Sequence, residues 1–95
     1  MGYFADSAEV DKYIGGVFRA ANDHEESGPK LRGGNVFLKV FYTDPDTEMN
    51  IFMREPAIEV STGATEEKPD VTLLMKADTG DKFWRGDYKI GRAHV

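Results

Sequence analysis

The sequence contains no cysteine and only two histidines, His24 and His94. A disulfide framework, a thiolate nucleophile and a thiolate metal site are therefore excluded. Neither histidine stands in a Ser-His-Asp or Glu-x-x-His spacing, so catalysis through histidine has no support. Basic residues are scarce too: 12 Lys plus Arg face 17 Asp plus Glu, for a net charge of -5. Binding a phosphate backbone requires clustered cations, so nucleic acid is not an expected partner, and an anionic membrane surface would repel the chain. No run approaches the ~18 apolar residues of a membrane span, so stable membrane insertion is not expected. The N-terminus lacks a basic region followed by an apolar stretch, and a cytoplasmic location is the expectation.

Several short patterns fail on their context. Asp44, Asp46 and Glu48 alternate as Ca²⁺ ligands can, but the run lacks the following Gly and the distant Glu of an EF-hand and reads as a solvated turn. Gly33-Gly34 precedes a strand, where it cannot place a phosphate on a helix N-terminus. Arg85-Gly86-Asp87 spells an adhesion tripeptide but follows a helix in a chain without a secretory signal. No cofactor and no metal are implied, and nothing in the spacing brings acid and base side chains together, so an enzyme is not expected.

What remains is enough for one small domain over 1–95, at 40% hydrophobic residues. Residues 6–22 carry a helix signal. Asp6 or Ser7 serves as N-cap with Glu9 returning a capping-box bond, and Val10, Tyr13, Ile14, Val17, Phe18 and Ala21 recur at three- and four-residue spacing. Gly15 and Gly16 fall in its middle, where each costs ~1 kcal/mol against Ala, so another part of the chain or a ligand is expected to come close there. Residues 22–35, with Pro29, Gly28, Gly33 and Gly34, read as loop. The β-rich run 36–43, the turn Thr43-Asp44-Pro45-Asp46 and the return 48–54 form a hairpin; 57–61 and 71–76 follow as further strands, joined by an acidic link. Four strands in an antiparallel meander, then a short helix from Asp78 or Thr79 to Arg85, complete the pattern; 88–95 reads as one more helical turn or the start of a strand.

Strand alternation divides the side chains between two faces. Val36, Leu38, Val40, Tyr42, Met49, Ile51, Met53, Ile58, Val60, Val71, Leu73 and Met75 share the one that helices should cover. Its methionines either fill gaps in a solid core or line a pocket for an alkyl chain or ring. The opposite face carries Phe37, Phe41, Phe52 and Leu74 and is less polar than a solvated sheet, which marks a contact surface for a partner or a second copy.

The stretch Lys68-Pro69-Asp70-Val71-Thr72-Leu73-Leu74-Met75-Lys76-Ala77-Asp78, followed by Phe83-Trp84-Arg85-Gly86, resembles the signature of the sterol carrier protein type 2 family. There a Pro- or Ala-Asp-Val-Thr-Leu-x-Met strand leads into a short helix ending in Gly. The motif covers residues 68–86, while the order of elements matches over nearly the whole chain. The resemblance implies an α+β fold in which an N-terminal and a short C-terminal helix cover one face of a mainly antiparallel, mixed sheet of four or five strands. An apolar tunnel between the layers takes fatty acids, acyl-CoA, phospholipids or sterols without covalent chemistry. The family continues past the position of Val95 with a fifth strand and often helices that close the tunnel, so an open edge and self-association as a homodimer are expected. The usual peroxisomal tripeptide is absent from Arg92-Ala93-His94-Val95.

The expected function is thus carriage of an apolar, lipid-like ligand. The expected lining is Ile14, Val17 and Phe18 from the helix and Leu38, Val40, Ile51, Met53, Leu73 and Met75 from the sheet. Phe83 and Trp84 act as a lid, and Arg85 meets a carboxylate headgroup at the mouth. The alternative is a solid-core interaction module whose working surface is the Phe37, Phe41, Phe52 and Leu74 face.

Overall fold

The computed structural model describes residues 4–85, with side chains as far as Trp84. The expected strand or turn over 88–95, His94, and the headgroup role of the Arg85 side chain lie outside these. The fold is α+β, with the element order α1 (Ser7–Asp23), α2 (Ser27–Gly33), β1 (Val36–Thr43), β2 (Thr47–Met53), β3 (Glu59–Thr62), β4 (Val71–Lys76) and α3 (Ala77–Arg85).

Helix α1 starts where its capping signal lies. Asp6 Oδ1 accepts from the Glu9 N–H at 3.0 Å, satisfying a first-turn donor, while Glu9 Oε1 reaches one residue past the N-cap and accepts from the Ala5 N–H at 2.8 Å instead of closing the box on Asp6. Val10, Ile14 and Phe18 turn inward and are buried. Gly15 has the close neighbour that its position requires. A Cβ there would stand 3.0 Å from both Asp11 Oδ1 and Arg19 Nη1 and 3.3 Å from Val60 Cγ1. The bare backbone lets the Arg19–Asp11 ion pair (2.8 Å) fold across the helix, with Arg19 also donating to the Val60 carbonyl at 3.4 Å. Gly16 has nothing within 4 Å. Gly16→Ala is therefore expected to stabilise the fold by about 0.5–1 kcal/mol, read as a higher midpoint in thermal or urea unfolding.

The segment expected as loop after α1 contains a second helix. In α2, Pro29 occupies the first turn, where its missing N–H costs nothing, and Lys30 and Arg32 lie in the last turn, where cations suit the dipole. His24 sets up its start, its Nδ1 accepting from the Glu26 and Ser27 N–H groups at 3.2 and 3.1 Å.

The sheet has the order β3-β2-β1-β4. Strands β1, β2 and β3 form the expected antiparallel meander, but β4 pairs with β1 in parallel, Leu38 opposite Val71 and Tyr42 opposite Met75. The meander reading over all four strands is thus corrected: the link 63–70 crosses β2 and β1 to reach the far edge. Its eight residues can span up to ~26 Å, while three strand spacings need only ~14 Å. The crossing runs over the face away from the helices and is pinned there at four points. Asn50 Nδ2 donates to the Gly63 carbonyl (2.8 Å), Lys39 Nζ to Thr65 Oγ1 (3.0 Å), Arg54 forks onto Glu67 (2.7 and 3.2 Å), and the Phe37 N–H donates to Asp70 Oδ2 (2.8 Å). Beneath it Lys39 is buried in an ion pair with Glu48.

The other face carries the core. Leu38, Val40, Tyr42, Met49, Ile51 and Ile58 from the sheet region pack against Val10, Ile14 and Phe18 of α1 and Ala77 of α3. The division of side chains between the faces follows the alternation read from the sequence.

Candidate functional site

The two layers do not close at every point. Between α1, α2, α3 and the ends of β1 and β2 lies a cleft of about 300 Å³ lined by Val17, Phe18, Ala21, Leu31, Leu38, Met53 and Trp84. Every lining residue is apolar apart from one indole N–H, and that group is occupied: Trp84 Nε1 donates to the Tyr42 hydroxyl at 2.7 Å. The cleft wall thus offers shape and apolar area without polar direction. Trp84 is fixed as well as satisfied, since its ring meets Phe18 edge-on at a centroid distance of 5.1 Å and Phe83 at 4.7 Å.

Tyr42, fully buried under α3, anchors this wall. Burial pushes its phenol well above the ordinary value of 10.0; the Trp84 hydrogen bond acts in the opposite sense and the Asp81 charge adds to the rise. The unfolded chain loses this proton near pH 10 and the native protein does not, so above that pH the unfolded state binds fewer protons. This stabilisation is full below about pH 10 and is lost as pH rises from there through the folded value. Tyrosinate absorbance from Tyr42 is accordingly expected only together with loss of helical circular dichroism; Tyr42→Phe removes that last step of the titration.

The residues expected to bind a ligand fall into separate groups. Val17, Phe18, Leu38, Met53 and Trp84 come together around the cleft. Ile14, Val40 and Ile51 are fully buried in the packed core beside it. Leu73 and Met75 are half-buried against the core, and Phe83 is 39% exposed, its ring against Trp84. Ala21 and Leu31 complete the lining. Ala21 belongs to the apolar stripe of α1, whereas Leu31 was hidden in a segment whose composition reads as loop.

On the opposite face Phe37 and Phe52 stack at 4.3 Å, and Phe37 is only 2% exposed, closed over by the crossing link. Phe41 and Leu74 are neighbours in the β1–β4 register and remain open, at 39% and 75% exposure. They floor a shallow concavity of about 440 Å³ bordered by Asp46 and Glu48.

Among the described residues no group of three or more His, Asp or Glu side chains is arranged to hold a metal ion. Likewise no helix among them is long and apolar enough to cross a membrane. The chain matches no protein-family model and no curated protein.

Proposed function

We propose that this protein is a non-enzymatic, cytoplasmic carrier of a single fatty acyl chain, similar in kind to the sterol carrier protein type 2 family. The observation that carries the reading is the apolar cleft between the helices and the sheet, which gathers five of the side chains expected to line a ligand site. Its size favours one class among the lipids that the resemblance implies. A dry cavity of ~150 Å³ lined by aliphatic and aromatic side chains takes a benzene ring. About 300 Å³ gives room for roughly ten to twelve carbon atoms on the same scale. A sterol with its tail, or a two-chain phospholipid, exceeds that. Each buried methylene contributes ~0.8 kcal/mol, so a chain of this length supplies its own driving force.

Trp84, the single tryptophan, makes the test direct. Titration with decanoate is expected to shift or quench its emission with saturation near one ligand per chain. An unchanged spectrum, with no heat of binding by calorimetry, would dismiss the carrier.

A second reading draws on Phe41 and Leu74, the exposed pair on the far face, as the contact of an interaction module or homodimer. Phe41→Asp separates the two. Under the carrier reading it alters self-association and spares decanoate binding, because the two faces lie on opposite sides of the sheet. Sedimentation and calorimetry on the same variant read both effects.

A further inference from the structure

An amphiphile in the cleft must leave its polar end at a rim, because the lining itself offers no free donor or acceptor. A fixed cation lies one residue along the chain from the lining. Arg32 follows Leu31 on α2 and is pinned by two hydrogen bonds from Nη1, to the Asn22 carbonyl at 3.0 Å and to Asn22 Oδ1 at 2.9 Å. Asn22, next to Ala21, is itself held, its Oδ1 also accepting from the Ile58 N–H at 3.0 Å. Leu31 and Ala21, the chain neighbours of Arg32 and Asn22, both line the cleft, so the Arg32–Asn22 bonds tie α2 to the end of α1 just beside it, outside the lining itself. The Arg32 side chain is only 17% exposed, yet its Nε–H is buried and makes no hydrogen bond. The group nearest to satisfying it is the Glu55 carboxylate, 3.3 Å from Nε, on a side chain 66% exposed and two residues beyond Met53, another lining residue.

A buried donor without an acceptor is costly, and an arginine held in place is suited to a planar carboxylate. We infer that the ligand is an alkyl carboxylate whose acid group docks on Arg32, and that Glu55 is the resident carboxylate that it displaces. The alkyl chain then runs from Arg32 past Leu31 and Met53 towards Trp84. This rests on the carrier reading and adds to it the polarity of the ligand and its direction in the cleft. It also moves the headgroup contact away from Arg85, at the end of α3, to α2.

Calorimetry with decanoate and 1-decanol at about pH 8, where the acid is fully ionised, tests it. Wild-type protein is expected to bind decanoate about tenfold more tightly than decanol, the usual effect of one hydrogen bond to a charged group. Arg32→Gln is expected to bring decanoate down to the level of decanol. Glu55→Gln, which removes an exposed competitor, is expected to widen the preference by about three- to fivefold. Equal binding of acid and alcohol by the wild type, or a preference that survives Arg32→Gln, overturns the headgroup assignment and leaves the cleft as a lipid site. Failure of the wild type to bind either compound takes down the carrier reading itself. Should Arg32→Gln fail to fold because α1 and α2 lose their tie, Glu55→Gln decides alone, and an unchanged preference overturns the assignment.

Discussion

Met53→Trp is expected to melt with the parent protein and to take up decanoate at least a hundredfold more weakly. The expectation follows from where Met53 stands. Its side chain is half-buried, packed against the core from the end of β2 opposite Val36, and faces the cleft together with Leu38, two residues further along β1. Extra bulk at this position has an empty space to enter, so the indole fills the cleft and displaces no core side chain; the overpacking penalty of ~1–3 kcal/mol for a closed site does not apply. The ligand meets the opposite situation. Losing room for four methylenes at ~0.8 kcal/mol each removes ~3 kcal/mol of binding, more than two powers of ten. Calorimetry reads the loss without interference between two indoles, and a thermal melt on the same sample shows that the fold is intact. Undiminished decanoate binding at an unchanged melting temperature would remove the end of β2 from the site.

The alternation of Leu38, Val40 and Tyr42 with Phe37, Lys39 and Phe41 was enough to say which side of the sheet the helices would cover, because period two admits one division of faces. It could not say where that interface packs solidly and where it leaves space. Ile14, Val40 and Ile51 carry the same apolar signal as Val17, Leu38 and Met53, yet the first three are sealed in the core and the second three border the cleft. The difference arises from α2, whose Leu31 forms the outer wall. That helix escaped because Gly28, Pro29, Gly33 and Gly34 outweigh its one apolar residue. The cues that identify it are positional: Pro29 in the first turn and two cations in the last. The parallel β1–β4 pair was equally hidden, since alternation along a strand is indifferent to the direction of its neighbour. Asp70 was the available hint, an acid just before β4 that accepts the Phe37 N–H and fixes where the crossing ends. That same crossing explains why Phe37, expected on an open contact face with Phe41, Phe52 and Leu74, is buried while Phe41 and Leu74 stay exposed.

Gly80→Ala is expected to destabilise the protein by about 2 kcal/mol, a fall of roughly 8–16 °C in melting temperature for a domain of this size. On helix propensity alone the substitution should help by up to ~1 kcal/mol, as at Gly16. What reverses the sign is the seat of α3 on β1. A Cβ on Gly80 would stand 2.3 Å from Tyr42 Cε1 and 3.2 Å from Met75 Sδ. The thioether can swing aside, but the phenol ring cannot, because it is 1% exposed and its hydroxyl is held by Trp84. The helix must lift instead, which stretches the Trp84–Tyr42 hydrogen bond and withdraws the indole from Phe18. Two readouts therefore move together: the melting temperature falls and Trp84 emission shifts to the red as the ring meets water. Decanoate binding weakens in step, since the lifted side chain is one wall of the cleft. A loss of stability with unchanged emission would place the relief elsewhere and detach α3 from the cleft. A Gly80→Ala protein as stable as Gly16→Ala would show that α3 does not rest on Tyr42 at all.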